Sequence, residues 1–521
     1  MPHSVRPRLL APGSTSMYAV GTAPTPRKIQ AGPPGLTDNT HMAKMGGRID
    51  LPDADDDAIW LKPHMKRLRE AVETQAPLTP WFPLTEPNAP IELFEGKVSI
   101  EASGSRFPAF GRVRLEWLPT PQLRVSYHCT EPNAQIATFS AHAAGDDWTA
   151  TAEIDAVPRP PQGTWSPDID APVQAEDERY AHTVQVLPAG DGTLVEVSFL
   201  VASLTPVMAA HHLTAGRASW TGRTVLHGGG WLIVLDAPSS RREVRDSLQR
   251  HGGYAATHIG LLVREDGADF TPDEAIEVMN ALRYTLSFAV GRWVAPILPV
   301  GFDPAGEAVW TVWQRGELVH PYHRGGHELA DIVSPAHIPD LFTAFTEVWA
   351  DDFRRDVLCR AVNYYIEACD PNPCELAVSA AQSALEMLAY LMLVEEGTMS
   401  KTKFKDAGSA GRKRSLLDSC SIEAAYPANL TLLEKTGTDL QYGDAVKLLT
   451  EMRNTVIHPS KENESFSVEV WSEAWLLSLR HLLLAILSYV RYNGTYRDPV
   501  AEDKYVGVVA PVPWADKEQP A

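Results

Sequence analysis

The spacing of apolar residues changes part-way along the chain, and this change limits the folds that the chain can adopt. Between about residues 91 and 235, short runs of alternating apolar and polar residues are separated by Gly, Pro and Asp. Such runs are typical of strands in an antiparallel sandwich or barrel. Beyond residue 350, apolar residues recur instead at the three- and four-residue spacing of core-facing helices. We therefore predict an α+β multidomain protein, with a β-rich N-terminal region and a C-terminal all-α bundle.

The domain boundaries follow from the same patterns. The segment 1–48 is rich in Pro, Gly, Ser and Thr and lacks periodicity, so we expect a disordered tail. A β-rich N-terminal domain is predicted over 49–335. It comprises a sandwich-like region at about 91–235 and an α/β extension at about 236–335. The join to the helical domain, predicted over 336–497, falls near Ser334-Pro335, and a C-terminal tail is expected over 498–521.

Two local signals in the first domain predict a helix start and a hairpin turn. Thr271, Pro272 and Glu274 have the residue types and spacing of a capping box that opens a helix. Three glycines at 228–230 favour a β-hairpin turn. The alternative is the oxyanion-hole loop of a hydrolase, and it requires a Gly-x-Ser-x-Gly elbow after a strand, which the sequence lacks.

The composition of the chain bears on its cellular location and on whether it binds a metal or cofactor. Five cysteines form neither a C-x-x-C pair nor an even disulfide framework, which fits a reducing cytoplasm. The apolar run Val5 to Leu10 is interrupted by Arg and Pro, so we expect no secretory segment and a cytoplasmic location. His320, His323 and His327 suggest a metal site, but Pro and Gly around them fix no ligand geometry. No metal or cofactor is predicted.

One polar motif stands at the end of a predicted helix. Residues 451–460 read Glu-Met-Arg-Asn-Thr-Val-Ile-His-Pro-Ser. Asn454 and His458 fall on the side opposite the apolar stripe of this helix, with Arg453 on its flank. Because Pro459 disfavours a helical conformation at the preceding residue, the helix should end at or near His458. Asn454 and His458 are four residues apart and therefore share one face.

This trio suits the handling of an anion that gains charge during a reaction. An Arg guanidinium offers paired donors to phosphate oxygens, and a His can take and return a proton near neutral pH. Asn can orient either partner, and cleavage of RNA by its own 2′-hydroxyl needs these three functions and no metal. The alternative is structural, since a His before Pro can simply cap a helix, and Arg and Asn are ordinary surface residues.

The sequence Arg453-Asn454-x-x-x-His458-Pro459 resembles the R-x4-6-H motif of HEPN domains (higher eukaryotes and prokaryotes nucleotide-binding). The form resembles that of bacterial abortive-infection proteins with a large N-terminal region and a C-terminal HEPN-like bundle. The resemblance covers about residues 355–495. It implies a metal-independent endoribonuclease with a site shared between two copies in a homodimer. His458 would be the acid/base, Arg453 the phosphate stabiliser and Asn454 the orienting residue. Other HEPN domains only bind nucleotides, RNA or a protein partner, so a non-catalytic binding module remains the alternative.

Further charged residues extend this hypothesis. Glu386 lies within an otherwise apolar helix, and we expect either Arg453 as its partner or exposure to solvent. The segment 401–414 is predicted as a basic connector between helices, which contacts RNA or is simply a solvated loop. It carries the predicted RNA-binding residues Lys401, Lys403, Lys405, Arg412, Lys413 and Arg414. Since the net charge of −20 repels nucleic acid at long range, RNA would need such local attraction. The resemblance also implies a phage-derived or protein trigger sensed by the N-terminal domain.

Overall fold

The computed structural model describes most of the chain beyond residue 58. The described residues are 59, 62–102, 105–129, 149–151, 177–181, 183–184, 192–204, 209–314, 319–322, 328–330, 334–370, 372–460, 464–503 and 505–515. The predicted tail at 1–48 lies outside them, as do His323 and His327.

The first half of the chain contains two larger antiparallel sheets. The first is built from β1 (Ile91–Ala102), β2 (Ser105–Glu116), β3 (Gln122–Cys129), β4 (Thr149–Thr151) and β5 (Asp177–Ala181). Its strand order is β4-β1-β2-β3-β5. A short strand β6 (Thr183–Val184) follows and pairs with a later segment, β14 below.

The second sheet has seven strands. They are β7 (Glu196–Ala202), β8 (His211–Ala215), β9 (Ala218–Gly228), β10 (Trp231–Asp236), β11 (Ala256–Arg264), β12 (Ala295–Phe302) and β13 (Ala308–Thr311). Their order is β13-β12-β7-β11-β10-β9-β8, and β14 (Trp313–Gln314) pairs with β6. Gly229 and Gly230 have φ angles of +61° and +78° between β9 and β10. The predicted hairpin turn at the three glycines is therefore confirmed.

Within the residues that the structure describes, three helices accompany the sheets: α1 (Pro63–Glu73), α2 (Arg241–His251) and α3 (Pro272–Val290). The capping box at the start of α3 is confirmed. The hydroxyl of Thr271 accepts from the backbone N–H of Glu274 at 3.3 Å, and the Glu274 carboxylate accepts from the Thr271 N–H at 2.8 Å. Both bonds satisfy donors that a helix start leaves without an intrahelical partner.

The second half is predominantly helical. Its helices are α4 (His337–Trp349), α5 (Asp352–Ala368), α6 (Cys374–Tyr390), α7 (Lys401–Asp406), α8 (Gly408–Ser419), α9 (Thr431–Asp439), α10 (Ala445–Ile457) and α11 (Val468–Tyr489). A π-helical turn at Leu391–Glu395 extends α6. This division into sheets and then helices confirms the α+β prediction.

Successive side chains of a strand point to opposite faces of the sheet. In the seven-stranded sheet, side chains on both faces are buried. On one face, Leu200 and Ile259 share a buried cluster with Leu93 and Trp117 of the five-stranded sheet region. On the other face, side chains such as Phe199 join the helical core. The sheet is therefore covered on one side by the five-stranded sheet region and by α1, whose Met65 and Leu68 pack with Leu261, and on the other side by helices.

Helix α4 joins the two halves of the chain. It packs against β9, α3 and α5, and Phe342 and Phe345 are buried in a core that continues from the sheet into the helices. The hydroxyl of Thr343 donates to the backbone oxygen of His227 at 2.7 Å. A Cβ atom on Gly228 would collide with the Thr346 side chain, so this glycine permits the close approach. Residues Gly46–Ala521 accordingly form one compact unit.

The C-terminal segment differs from the tail predicted over 498–521. Within it, β15 (Thr495–Tyr496) pairs with β16 (Ala510–Pro511), and Val512 is buried. The indole N–H of Trp514 donates to the backbone oxygen of Tyr492 at 2.8 Å. The prediction of a tail is wrong for residues up to 515, because isolated apolar side chains anchor a segment that has no periodicity.

Two helical segments in the described part of the chain are long and apolar enough to cross a membrane by length and composition. They are Cys374–Glu395 and Val468–Tyr489, and 56% and 72% of the relevant windows are buried inside the protein. His481 lies at the centre of α11 and is itself buried. More than half of each window is therefore buried inside the protein, as in core helices.

Candidate functional site

The sequence motif lies where α10 ends. At the start of this helix, Asp444 caps the backbone N–H of Lys447 at 2.9 Å and accepts from Arg414 Nε at 2.6 Å. The helix ends at Ile457, and His458 is its C-cap, with φ −123° and ψ 69°. The His458 N–H still donates to the Asn454 oxygen at 2.8 Å. The predicted helix end before Pro459 is therefore confirmed.

The motif residues face away from the core. Leu449 and Met452 are fully buried, whereas Arg453 and Asn454 are half-buried and His458 is exposed. A phosphate could therefore approach the His458 imidazole from solvent. This arrangement agrees with the predicted orientation of the trio.

Asn454 links the motif to a pair of charged side chains. Arg453 Nη1 donates to Asn454 Oδ1 at 3.4 Å, and Asn454 Nδ2 donates to Glu451 Oε2 at 3.4 Å. Glu451 also forms an ion pair with Lys447, one helical turn earlier. The carboxamide thus contacts the Arg453 guanidinium through its oxygen and the Glu451 carboxylate through its nitrogen.

Glu386 has a different partner from the one predicted. Its carboxylate accepts from Arg412 Nη1 at 2.9 Å and from Ser409 Oγ at 3.3 Å. The expectation of Arg453 as the partner is wrong, because α8 packs along α6 and places Arg412 beside the carboxylate. The basic segment is accordingly not a connector but two helices, α7 and α8.

Lys413 is buried instead of being available to RNA. Its side chain is 1% exposed, and Nζ donates to Gln382 Oε1 at 2.7 Å. The Gln382 amide in turn donates to Ser478 Oγ at 3.3 Å. Lys413 precedes Leu416 and Leu417 by three and four residues and so shares their buried face, a signal that the sequence contains. The prediction that Lys413 contacts RNA is therefore wrong.

Burial also changes the acidity of this lysine. Loss of hydration lowers the pKa of Lys413 from 10.5 to about 8. The charges of Glu386, Arg453 and Glu451 act on the same ammonium group, with Arg453 lowering its pKa and the two carboxylates raising it. The ammonium group thus connects the charged residues of α6, α8 and α10 electrostatically.

The remaining predicted RNA-binding residues fall into two groups. Arg412 and Arg414 each bind a carboxylate. Arg412 pairs with Glu386, and Arg414 pairs with Asp444. Lys401, Lys403 and Lys405 project from α7 and are exposed. Lys401 is 73% exposed and lies 3.5 Å from a Glu395 oxygen. Of the predicted RNA-binding residues, the α7 lysines are therefore the most exposed.

In the described part of the chain, no group of three or more His, Cys, Asp or Glu side chains could hold a metal ion. His320 is described and lies near the backbone of Trp293, at 3.4 Å between Trp293 N and His320 Nδ1. His227, beside the triple glycine, is 2.9 Å from a Glu265 oxygen.

Comparisons with known proteins connect both halves of the chain to one name. Residues 190–325 match the family model described as the YopA central domain, and residues 351–509 match that of the YopA C-terminal domain. The SPbeta prophage-derived uncharacterized protein YopA of Bacillus subtilis (strain 168) is 26% identical over 441 residues. This alignment covers 83% of the chain and 96% of the relative. No solved structure matches the chain.

Proposed function

We propose that the protein is a metal-independent endoribonuclease of HEPN type, with His458, Arg453 and Asn454 as its site. The observation that carries this proposal is the arrangement at the end of α10. An exposed imidazole caps the helix that carries a guanidinium, and an adjacent carboxamide accepts a hydrogen bond from that guanidinium. The proposal requires that both groups reach one phosphate, with the imidazole as proton acceptor and the guanidinium as phosphate ligand.

The reaction these residues suit is transesterification. The 2′-hydroxyl of the RNA attacks the adjacent phosphorus, a His458 imidazole takes its proton, and the bond to the 5′-oxygen breaks. The leaving oxygen receives a proton, which gives a 2′,3′-cyclic phosphate and a 5′-hydroxyl end. Arg453 stabilises the charge that develops on the phosphate oxygens. Glu386, bound to Arg412 and Ser409, takes a positioning role in α6 and α8.

A second copy of the chain would complete the site. Two imidazoles allow one to take the proton and the other to give one, which a homodimer supplies. Exposed apolar side chains at the end of α10 and at the start of α11 support this pairing: Ile457 is 42% exposed and Val468 is 75% exposed. In a soluble protein, such apolar groups are covered at little cost by a partner surface. Lys401, Lys403 and Lys405 would then attract the RNA.

The rest of the chain is assigned a sensing role in this proposal. The sheets would form a sandwich-like sensor, α5 to α11 a HEPN-like bundle, and the continuous core would connect the two. The prophage origin of the Bacillus subtilis relative favours a cytoplasmic role in conflict between phage and host, with a phage-derived or protein trigger.

Incubation of the purified protein with RNA in EDTA tests the activity. We expect cleavage with 2′,3′-cyclic phosphate ends, and loss of cleavage in His458→Ala and Arg453→Ala. His251→Ala is the matched control, because His251 is also an exposed histidine at the end of a helix, α2. Equal cleavage by the His458→Ala variant, or no cleavage with and without phage lysate as activator, would reject the proposal.

A non-catalytic module that binds RNA, a nucleotide or a protein is the second candidate. It is favoured by the engagement of Arg412, Lys413 and Arg414 within the protein, which makes the polar network between α6, α8 and α10 a structural element. Fluorescence anisotropy with labelled RNA distinguishes the two. Binding that is retained in His458→Ala, with no product formed by the native chain, selects the module.

A further inference from the structure

A cavity lies far from α10 along the chain, between α1 and the seven-stranded sheet. It encloses about 340 Å³. Residues 77–81 form its rim, and its floor comes from β7, β11 and β12 through Ser198, Leu261 and Phe302. This volume falls within the range of small-molecule sites, roughly 300–1,000 Å³.

The rim of the cavity is fixed by a buried ion pair. Arg223 and Asp236 are both 1% exposed, with Nη2 and Oδ2 2.7 Å apart. Arg223 also donates to the backbone oxygens of Ala71 and Ala76 at 3.0 and 2.7 Å. Asp236 accepts from the Leu78 N–H at 2.8 Å. The connection from α1 to the rim is therefore held in place before any ligand arrives.

One acidic and one basic side chain line the cavity side by side. Arg67 Nη2 and Glu196 Oε2 are 3.3 Å apart, with side chains 51% and 15% exposed. Burial raises the pKa of the Glu196 carboxyl, although Arg67 opposes this change. A half-exposed guanidinium compensates the buried carboxylate only in part, so a further donor would stabilise its charge.

The remaining lining is largely apolar and includes two aromatic rings. The ring centroids of Trp81 and Phe302 are 5.5 Å apart in an edge-to-face arrangement. Leu68, Leu78 and Leu261 complete this side, and Ser198 adds a hydroxyl. An apolar group of a ligand can be removed from water here while its charged end meets the ion pair.

We propose that this cavity binds a free α-amino acid with an apolar or aromatic side chain. The ligand ammonium group would meet the Glu196 carboxylate, and its carboxylate would meet the Arg67 guanidinium. A simple anion is repelled by Glu196 and a simple cation by Arg67, whereas a zwitterion satisfies both. The side chain of the amino acid would lie against Trp81 and Leu261. This inference does not depend on the proposed nuclease.

Titration calorimetry of the full chain with L-phenylalanine, L-leucine and L-tryptophan tests the proposal. The analogues 3-phenylpropionate and 2-phenylethylamine each lack one of the two charged groups. We expect L-phenylalanine to bind at least about tenfold more tightly than either analogue, since each charged hydrogen bond contributes at about that level.

Two variants locate the binding. Glu196→Gln and Arg67→Gln should each weaken L-phenylalanine binding by about tenfold or more. Arg69→Gln is the matched control, because Arg69 lies on the same helix but pairs with Glu73. Circular dichroism confirms that each variant is folded. The proposal is overturned by absence of binding for all three amino acids at millimolar concentration, by an analogue that binds as well, or by unchanged binding in Glu196→Gln.

Discussion

The buried ammonium group of Lys413 predicts a specific dependence of stability on pH. Its pKa is about 8 in the folded chain and 10.5 without burial. Between these values the unfolded chain binds more protons, so the free energy of unfolding rises with pH across this window. The cost of burying the charge is fully present below about pH 8 and is lost towards pH 10.5. The shift corresponds to about 3 kcal/mol, of which about 2 kcal/mol falls between pH 7 and pH 9.5.

Lys413→Met keeps the length of the side chain and removes the titrating group. Urea unfolding followed by tryptophan fluorescence, at about pH 7 and pH 9.5, gives the difference between native and variant chains at each pH. Other titrating groups cancel in this difference, which should change by about 2 kcal/mol in favour of the native chain as the pH rises. Lys405→Met, on the exposed surface of α7, is the control and should show no such change. Parallel pH profiles for the native and Lys413→Met chains would refute the reasoning.

Three further substitutions test the packing by urea unfolding. Arg223→Met should lower the free energy of unfolding by about 3–5 kcal/mol because it strands the buried Asp236 carboxylate; a loss below about 1 kcal/mol would contradict this. Asp444→Ala removes a helix cap and should cost about 1–2 kcal/mol, a result that an unchanged midpoint would exclude. Thr271→Ala removes the capping box of α3 and should lower the free energy of unfolding by about 1 kcal/mol. Thr74→Ala is the control and should lower it by less, because Thr74 is not an N-cap.

Features that depend on neighbours in the sequence are those that could be predicted. The capping box at Thr271, the turn at Gly229 and the end of α10 before Pro459 are set by residues within about five positions. The exposure of the motif residues agrees with helical periodicity, and His458 itself follows the helix as its C-cap. Helical periodicity therefore predicts that the motif is exposed, but it does not determine the chemistry of the motif.

Features that depend on distant elements could not be predicted. The basic segment contains Gly408 and Gly411, which favour a connector, yet Gly408 is the first residue of α8, with a φ angle of +64°. Once α8 is a helix, its packing on α6 decides that Arg412 reaches Glu386 and that Lys413 is buried. The cavity beside Arg67 likewise joins residues from α1 and β7, more than 120 positions apart. No local pattern encodes such a meeting.

The position of α4 has a practical consequence for dissecting the protein. Its side chains Phe342 and Phe345 belong to the same buried core as Phe199 of β7 and Tyr365 of α5. A fragment cut at residue 335 would expose these rings on one piece and uncover a sheet face on the other. Each piece expressed separately should therefore aggregate, whereas the two produced together should reassociate. The contributions of the two halves of the chain are then better separated by point substitutions than by truncation.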